Sequence, residues 1–304
     1  MARQKNPFIL RAEYYPLRLF VALLQVLPFA WSYLLSHFLI RVILAVMPKR
    51  RKLIKDQVRL SFPNLPVPDQ TAIARGSEAN MAKGLTIFAR IPSMSWETMK
   101  AMVEIEGFEH IEEAFKQKKG MITFTAHYGC WELMAIYVTH LYPEIAMVVR
   151  PLDNPLLDRL VAKVRGSGGG GVIDSRKVLK DGIRLLRRNG ILGVMVDQNF
   201  YKGGVFVNFF GRPAATSTLI PILARRTGCA VLPMHNVWHG EKIRITCEPP
   251  VTLSSNPDQA AAIQEDTQRL TGYVERWVRE DPAQWLWLHN RWKRQPLPDE
   301  PVFR

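Results

Sequence analysis

Beyond residue 67 the chain switches repeatedly between two spacings of apolar residues. Helical spacing (Ile73, Ala74, Met81, Leu85, Phe88) covers 68–90, and a charged amphipathic stretch, 108–118, is closed by Gly120 at a C-cap position. Short apolar runs then alternate with helical segments. Strands are predicted at 121–125, 145–149, 191–196, 205–210, 229–234 and 242–248, with another starting at 171–173. Helices are predicted at 128–141, 155–165, 177–188 and 216–227, and a last long one at 262–280 carries Ile263, Leu270, Val274, Trp277 and Val278 on one side. Strands separated by helices of this length indicate βαβ units, so the expected fold is α/β, a mixed and largely parallel sheet flanked by helices. In open sheets of this kind ligands bind beyond the carboxyl ends of the strands. His127, Arg150 and Asp197 each follow a predicted strand by one or two residues.

The N-terminal part follows another pattern. Residues 19–40 hold no formal charge over twenty-two positions, long enough to cross a hydrocarbon core that needs ~20 apolar residues. Gln25, Pro28, Ser32, Ser36 and His37 make this a poor span, and Arg41 follows directly. It reads as an N-terminal membrane-anchor helix that either spans or lies in the interface. Charge supports the assignment. Of the net +14, residues 1–60 hold +9, from eleven Lys and Arg against Glu13 and Asp56. The run Lys49-Arg50-Arg51-Lys52 favours a cytoplasmic bulk and anionic head groups. The expected division is an anchor with basic flanks at 1–54 and one catalytic domain at 55–304. A nucleic-acid partner is not expected, because the basic excess flanks an apolar run and no recognition motif accompanies it. Three widely spaced cysteines, Cys130, Cys229 and Cys247, form neither a disulfide framework nor a zinc pattern.

Chemistry concentrates in His127-Tyr128-Gly129-Cys130-Trp131-Glu132. Five residues apart, a His and a carboxylate lie ~140° apart on an ideal helix and would not meet. With His127 in the strand-to-helix turn and Glu132 in the first helical turn, the carboxylate can reach back to the imidazole. That pair is a triad without its serine, so the hydroxyl would come from the substrate. A helix N-terminus nearby keeps the imidazole neutral and offers N–H groups to an oxyanion.

Several ordered segments give the chain a resemblance to a known family: HYGCWE at 127–132, RPLDNP at 150–155, Arg165 before the glycine run, VDQN at 196–199, FVNFFGRPAATS at 206–217 and WLWLHNRWK at 285–293. It resembles the late acyltransferases of lipid A biosynthesis, within the lysophospholipid (glycerolipid) acyltransferase superfamily. The Glu-Gly-Thr-Arg block of the glycerol-phosphate branch is absent, and FFGRPAATS stands in its place. The resemblance implies a glycerolipid-acyltransferase-like fold at the cytoplasmic side of a bacterial inner membrane. It implies transfer of a fatty acyl chain from an acyl carrier protein thioester to the hydroxyl of a 3-hydroxyacyl chain on a lipid A precursor. His127 would be the general base and Glu132 its partner. Arg150 and Arg165 match basic positions suited to a phosphorylated acceptor. Asp197 and Gln198 match the family's Asp-Gln position, and Arg212 and Thr216 lie where a head group would sit. No metal or cofactor is implied, since the thioester carries the activation.

Other readings of the same residues stay open. A membrane-bound thioesterase would use the same base on water, and sister branches acylate ornithine lipids or mannosylated phosphoinositides. The run GSGGGG at 166–171 lacks the Gly-Lys-Ser/Thr of a phosphate loop and reads as a flexible connector. His235 and His239, ~13 Å apart on a strand, read as structural.

Overall fold

The computed structural model describes residues 6–201, 203–298, 300 and 302; Arg3 and Lys5 of the basic flank lie outside them. Nine strands and eleven α-helices are formed among the described residues. Seven strands make one sheet in the order β1 (Val103–Glu106), β9 (Lys242–Cys247), β8 (Ala230–His239), β2 (Met121–Thr125), β5 (Ile191–Met195), β3 (Ile145–Val149), β4 (Gly171–Asp174). Every neighbouring pair is parallel except β8 and β9. The expected mixed, mostly parallel sheet is therefore present.

Alternation along the central strands explains why helices cover both faces. Ile122 and Phe124 of β2 and Leu192 and Val194 of β5 point into one core with α9 (Val178–Arg187), α10 (Leu219–Thr227) and α11 (Gln259–Glu280). Met121 and Ile191 point the other way, into a second core with α7 (Trp131–Leu141). Strands buried on both faces read as continuous apolar runs, which is why 121–125 and 191–196 stood out.

The uncharged stretch 19–40 is not one helix. Pro28 divides it between α1 (Pro7–Val26) and α2 (Phe29–Val46), because proline has no N–H and pushes the residue before it out of the helical region. Leu27 accordingly sits at φ −66°, ψ 149°. Two of the polar residues that weakened the span bond to α4 (Val67–Arg90): Gln25 donates to the Ala89 carbonyl at 2.8 Å, and the Ser36 hydroxyl accepts from Thr86 at 2.9 Å. Arg90 closes the end of α1 through the Leu24 and Leu27 carbonyls. The opposite sides of α1 and α2 leave Phe8, Leu19, Val26, Trp31, Phe38 and Val46 exposed. By length and composition α2 is the one described helix apolar enough to cross a membrane. It runs on into α3 (Pro48–Ser61), with Lys49, Arg50, Arg51, Lys52, Lys55 and Arg59.

Two further expectations change. Residues 212–216 are a strand, β7 (Arg212–Thr216), paired antiparallel with β6 (Val205–Phe209) in a separate hairpin, so the helix predicted from Thr216 starts at Leu219. The glycine run, expected as a flexible connector, is packed at two of its positions: a Cβ on Gly168 would lie 2.0 Å from the Thr139 hydroxyl of α7 and one on Gly170 2.5 Å from the Thr139 methyl, whereas Gly166 and Gly169 have open space around them.

Candidate active site

Register brings the central pair together. Thr125 of β2 lies opposite Met195 of β5, so two residues on, His127 faces Asp197. The Asp197 carboxylate takes three hydrogen bonds: the His127 backbone N–H at 2.9 Å, His127 Nδ1 at 2.8 Å and the Trp285 indole N–H at 2.8 Å. It is 4% exposed. Burial alone would raise its pKa, but the imidazole and these donors outweigh burial and hold it at about 2. An ionised carboxylate only accepts, so Nδ1 must carry the imidazole proton. Nε2 is left with its lone pair, and the Gln198 side-chain amide donates to it at 3.1 Å.

The turn that carries His127 is held from several sides. Gly129 has φ +61°, and a Cβ there would stand 2.3 Å from the Asn236 carbonyl oxygen. Asn236 accepts from the Cys130 N–H at 2.6 Å and donates to the Tyr128 carbonyl at 3.1 Å. The C-terminal segment closes the other side: Leu286 N–H donates to the His127 carbonyl, and Gly129 N–H to that of Gln284. Trp131, the first residue of α7, meets the imidazole edge-on at 5.2 Å between centroids.

Glu132 does not partner His127. Its carboxylate takes a two-pronged bond from Arg165, Nε at 3.1 Å and Nη2 at 2.5 Å. Burial opposes the Arg165 charge, but Glu132 more than offsets it and raises the guanidinium pKa. His127 lies two residues past the end of β2 and Glu132 in the first turn of α7; the imidazole presents Nδ1 to β5, where Asp197 is in register, and not to Glu132. Both groups still line one cavity. It has a volume of about 590 Å³, and His127, Glu132, Arg150, Arg165 and Gln198 stand at one end. Its walls run inward over Thr123, Met147 and Gly193 on the sheet and under Met134, Ala135 and Val138 of α7.

Two expected site residues are elsewhere. Thr216 is buried, and its hydroxyl accepts from Arg291 at 2.5 Å. Arg212, at the far end of the β6–β7 hairpin, places its guanidinium 4.3 Å from the Trp292 ring centroid. Neither lines the cavity.

Trp285 and Arg291 act around the pair without having been expected there. Arg291 is fully buried and donates to the carbonyls of Gln198 and Ala215. Burial pulls its pKa down to about 10, and the Asp197 charge opposes that fall. Four tryptophans near the C-terminus were the available signal, but composition alone reads them as packing. His289 accepts from the Asn199 N–H at 2.9 Å, and burial lowers its pKa, so the imidazole is neutral there.

The chain is 28% identical over 278 residues to the lipid A biosynthesis lauroyltransferase of Escherichia coli K12, covering 89% of this chain and 88% of the relative. It is 27% identical over 275 residues to a lipid A biosynthesis acyltransferase of Haemophilus influenzae (88% and 83% covered). A phosphatidylinositol mannoside acyltransferase of Mycolicibacterium smegmatis is 24% identical over 237 residues (76% and 75%). The pattern of the bacterial lipid A biosynthesis acyltransferases matches residues 9–294, and the chain belongs to that family.

Proposed function

We propose that the protein transfers a fatty acyl chain from an acyl carrier protein thioester to the hydroxyl of a 3-hydroxyacyl chain on a lipid A precursor, at the cytoplasmic face of the inner membrane. One observation carries the reading: a histidine whose Nε2 keeps its lone pair, backed by a buried ionised carboxylate, opens onto an apolar cavity. A hydroxyl placed where the Gln198 amide now bonds would meet Nε2 as a base. As the hydroxyl oxygen attacks the thioester carbonyl, its proton passes to Nε2, and Asp197 stabilises the imidazolium that forms. The new C–O bond remains, the C–S bond breaks, and the imidazolium returns the proton to the departing sulfur. The positive end of α7, which starts four residues after His127, adjoins the developing oxyanion.

Arg150 and Arg165 at the mouth suit a phosphorylated head group. In this reading Glu132 sets the orientation of Arg165, and Asp197 takes the role that the spacing had assigned to Glu132. The exposed apolar sides of α1 and α2 and the basic α3 dock the protein on an anionic membrane. Asn154, in the loop after Arg150, donates to the Leu10 carbonyl and to Glu13 of α1, tying the mouth to that membrane-facing unit.

Thiol release from the donor, followed with and without acceptor, tests the reading against hydrolysis. Release that needs the acceptor and saturates with it supports transfer. Release at the full rate with water alone would make the protein a thioesterase.

A further inference from the structure

Gly193 occupies the middle of β5, a central strand with neighbours on both sides. A glycine there weakens a strand, and no positive φ accompanies it. Packing does not demand it either. A Cβ at 193 would meet nothing nearer than Met147 Cγ at 3.5 Å, an ordinary contact. The space over Gly193 is the cavity itself, and the residue is only half-buried. Its register partners, Thr123 on β2 and Met147 on β3, line the same cavity.

Register also gives positions along the cavity. His127 lies four residues beyond Thr123, ~13 Å towards the mouth at ~3.3 Å per residue. Ile145, two residues before Met147 on β3, lines the inner end, ~7 Å further in than Gly193. Anything longer than a hydrogen at 193 would project into the passage between these two points.

We propose that residue 193 limits the length of acyl chain the protein accepts, and that glycine there admits long chains by letting them pass over β5 to Ile145. The proposal rests on the cavity being the acyl site. A zigzag chain built from bonds of ~1.5 Å advances ~1.3 Å per carbon. The ~7 Å beyond Gly193 therefore corresponds to about five carbons. Each methylene buried there changes affinity about fourfold.

The test compares wild type, Gly193→Ala and Gly193→Leu in two readouts. The first is displacement of a fluorescent fatty acid by even-numbered saturated fatty acids from octanoate to stearate. The second is the product profile from an equimolar mixture of acyl carrier protein thioesters of the same lengths. Affinity should climb with length up to a limit, and Gly193→Leu should lower that limit by about five carbons. Gly193→Ala should lower it by about one to two carbons, and this smaller change keeps the test alive if the leucine variant fails to fold. Identical limits in wild type and a folded variant would overturn the proposal. A limit that moves in binding, with no acyl group reaching the lipid, supports the length role and removes the transferase reading. Transfer with an unmoved product profile does the reverse.

Discussion

Asp197→Asn separates the histidine–aspartate pair from the histidine–glutamate pair that the sequence spacing suggests. The substitution keeps shape and volume but replaces a carboxylate oxygen with an amide. The wild-type carboxylate accepts from three donors and fixes the proton on Nδ1. Asparagine keeps one acceptor oxygen, so if its amide N–H faces the imidazole, Nδ1 must accept, the proton moves to Nε2 and the base is lost. Where the ring keeps its tautomer, the imidazolium formed on proton transfer still lacks its counter-charge. One charge-assisted bond is worth ~1.5–3 kcal/mol, and losing two with the charge removes ~3–6 kcal/mol from the transition state, a fall in kcat of about 10²–10⁴. The assay is initial-rate acyl transfer on protein whose circular dichroism and melting match wild type. A folded Asp197→Asn protein within about tenfold of the wild-type rate would refute the argument. The same residue makes a pH prediction. Its pKa falls from 3.8 unfolded to about 2 folded, so its contribution is complete above pH 4 and is lost as pH falls from about 4 to 2. That contribution is roughly 2 kcal/mol. Acid unfolding of Asp197→Asn should therefore flatten in that window; a slope equal to wild type contradicts it.

Trp285→Phe removes one N–H from the Asp197 carboxylate and should lower kcat by about tenfold, with KM for the donor unchanged; steady-state kinetics checks both. Arg165→Ala should raise KM for a phosphorylated acceptor by at least about tenfold and spare donor hydrolysis. Glu132 is paired with Arg165, and if it acts through that residue the Glu132→Gln/Arg165→Ala double variant should be no worse than the worse single variant; additive losses in a double-mutant cycle would refute that coupling. Gly129→Ala forces a Cβ against the Asn236 carbonyl at positive φ and should lower Tm by about 3–10 °C and kcat with it. An unchanged melting curve would show that the turn tolerates the side chain.

Much of the framework was legible in the sequence because strands buried on both faces write themselves as bare apolar runs. The convergence of His127, Arg150 and Asp197 at one sheet edge followed from strand ends alone. Strand order did not. The chain visits β2, β3, β4 and only then β5, yet β5 inserts between β2 and β3. That insertion puts Asp197 opposite His127, and no local pattern encodes it. Glu132, near in sequence, was the natural partner to infer; Asp197 lies 70 residues away. Pro28 was visible as a flaw in a span, but its consequence depended on α4 being present to receive Gln25, Ser36 and the end of α1. Trp285 was hidden for another reason, since a tryptophan whose indole N–H serves a distant carboxylate looks in sequence like one that merely fills space. Thr216 misled in the opposite sense: a hydroxyl inside a matched block, it serves the buried Arg291 rather than a ligand.

The most direct test of the account is the mass spectrum of the lipid product. Purified protein in detergent would be incubated with an acyl carrier protein thioester and a tetraacylated, phosphorylated lipid A precursor, alongside His127→Ala. The account predicts that the precursor gains the mass of one acyl group, and that this gain vanishes in the variant. Free fatty acid beside an unchanged precursor, or an equal gain with His127→Ala, would contradict it.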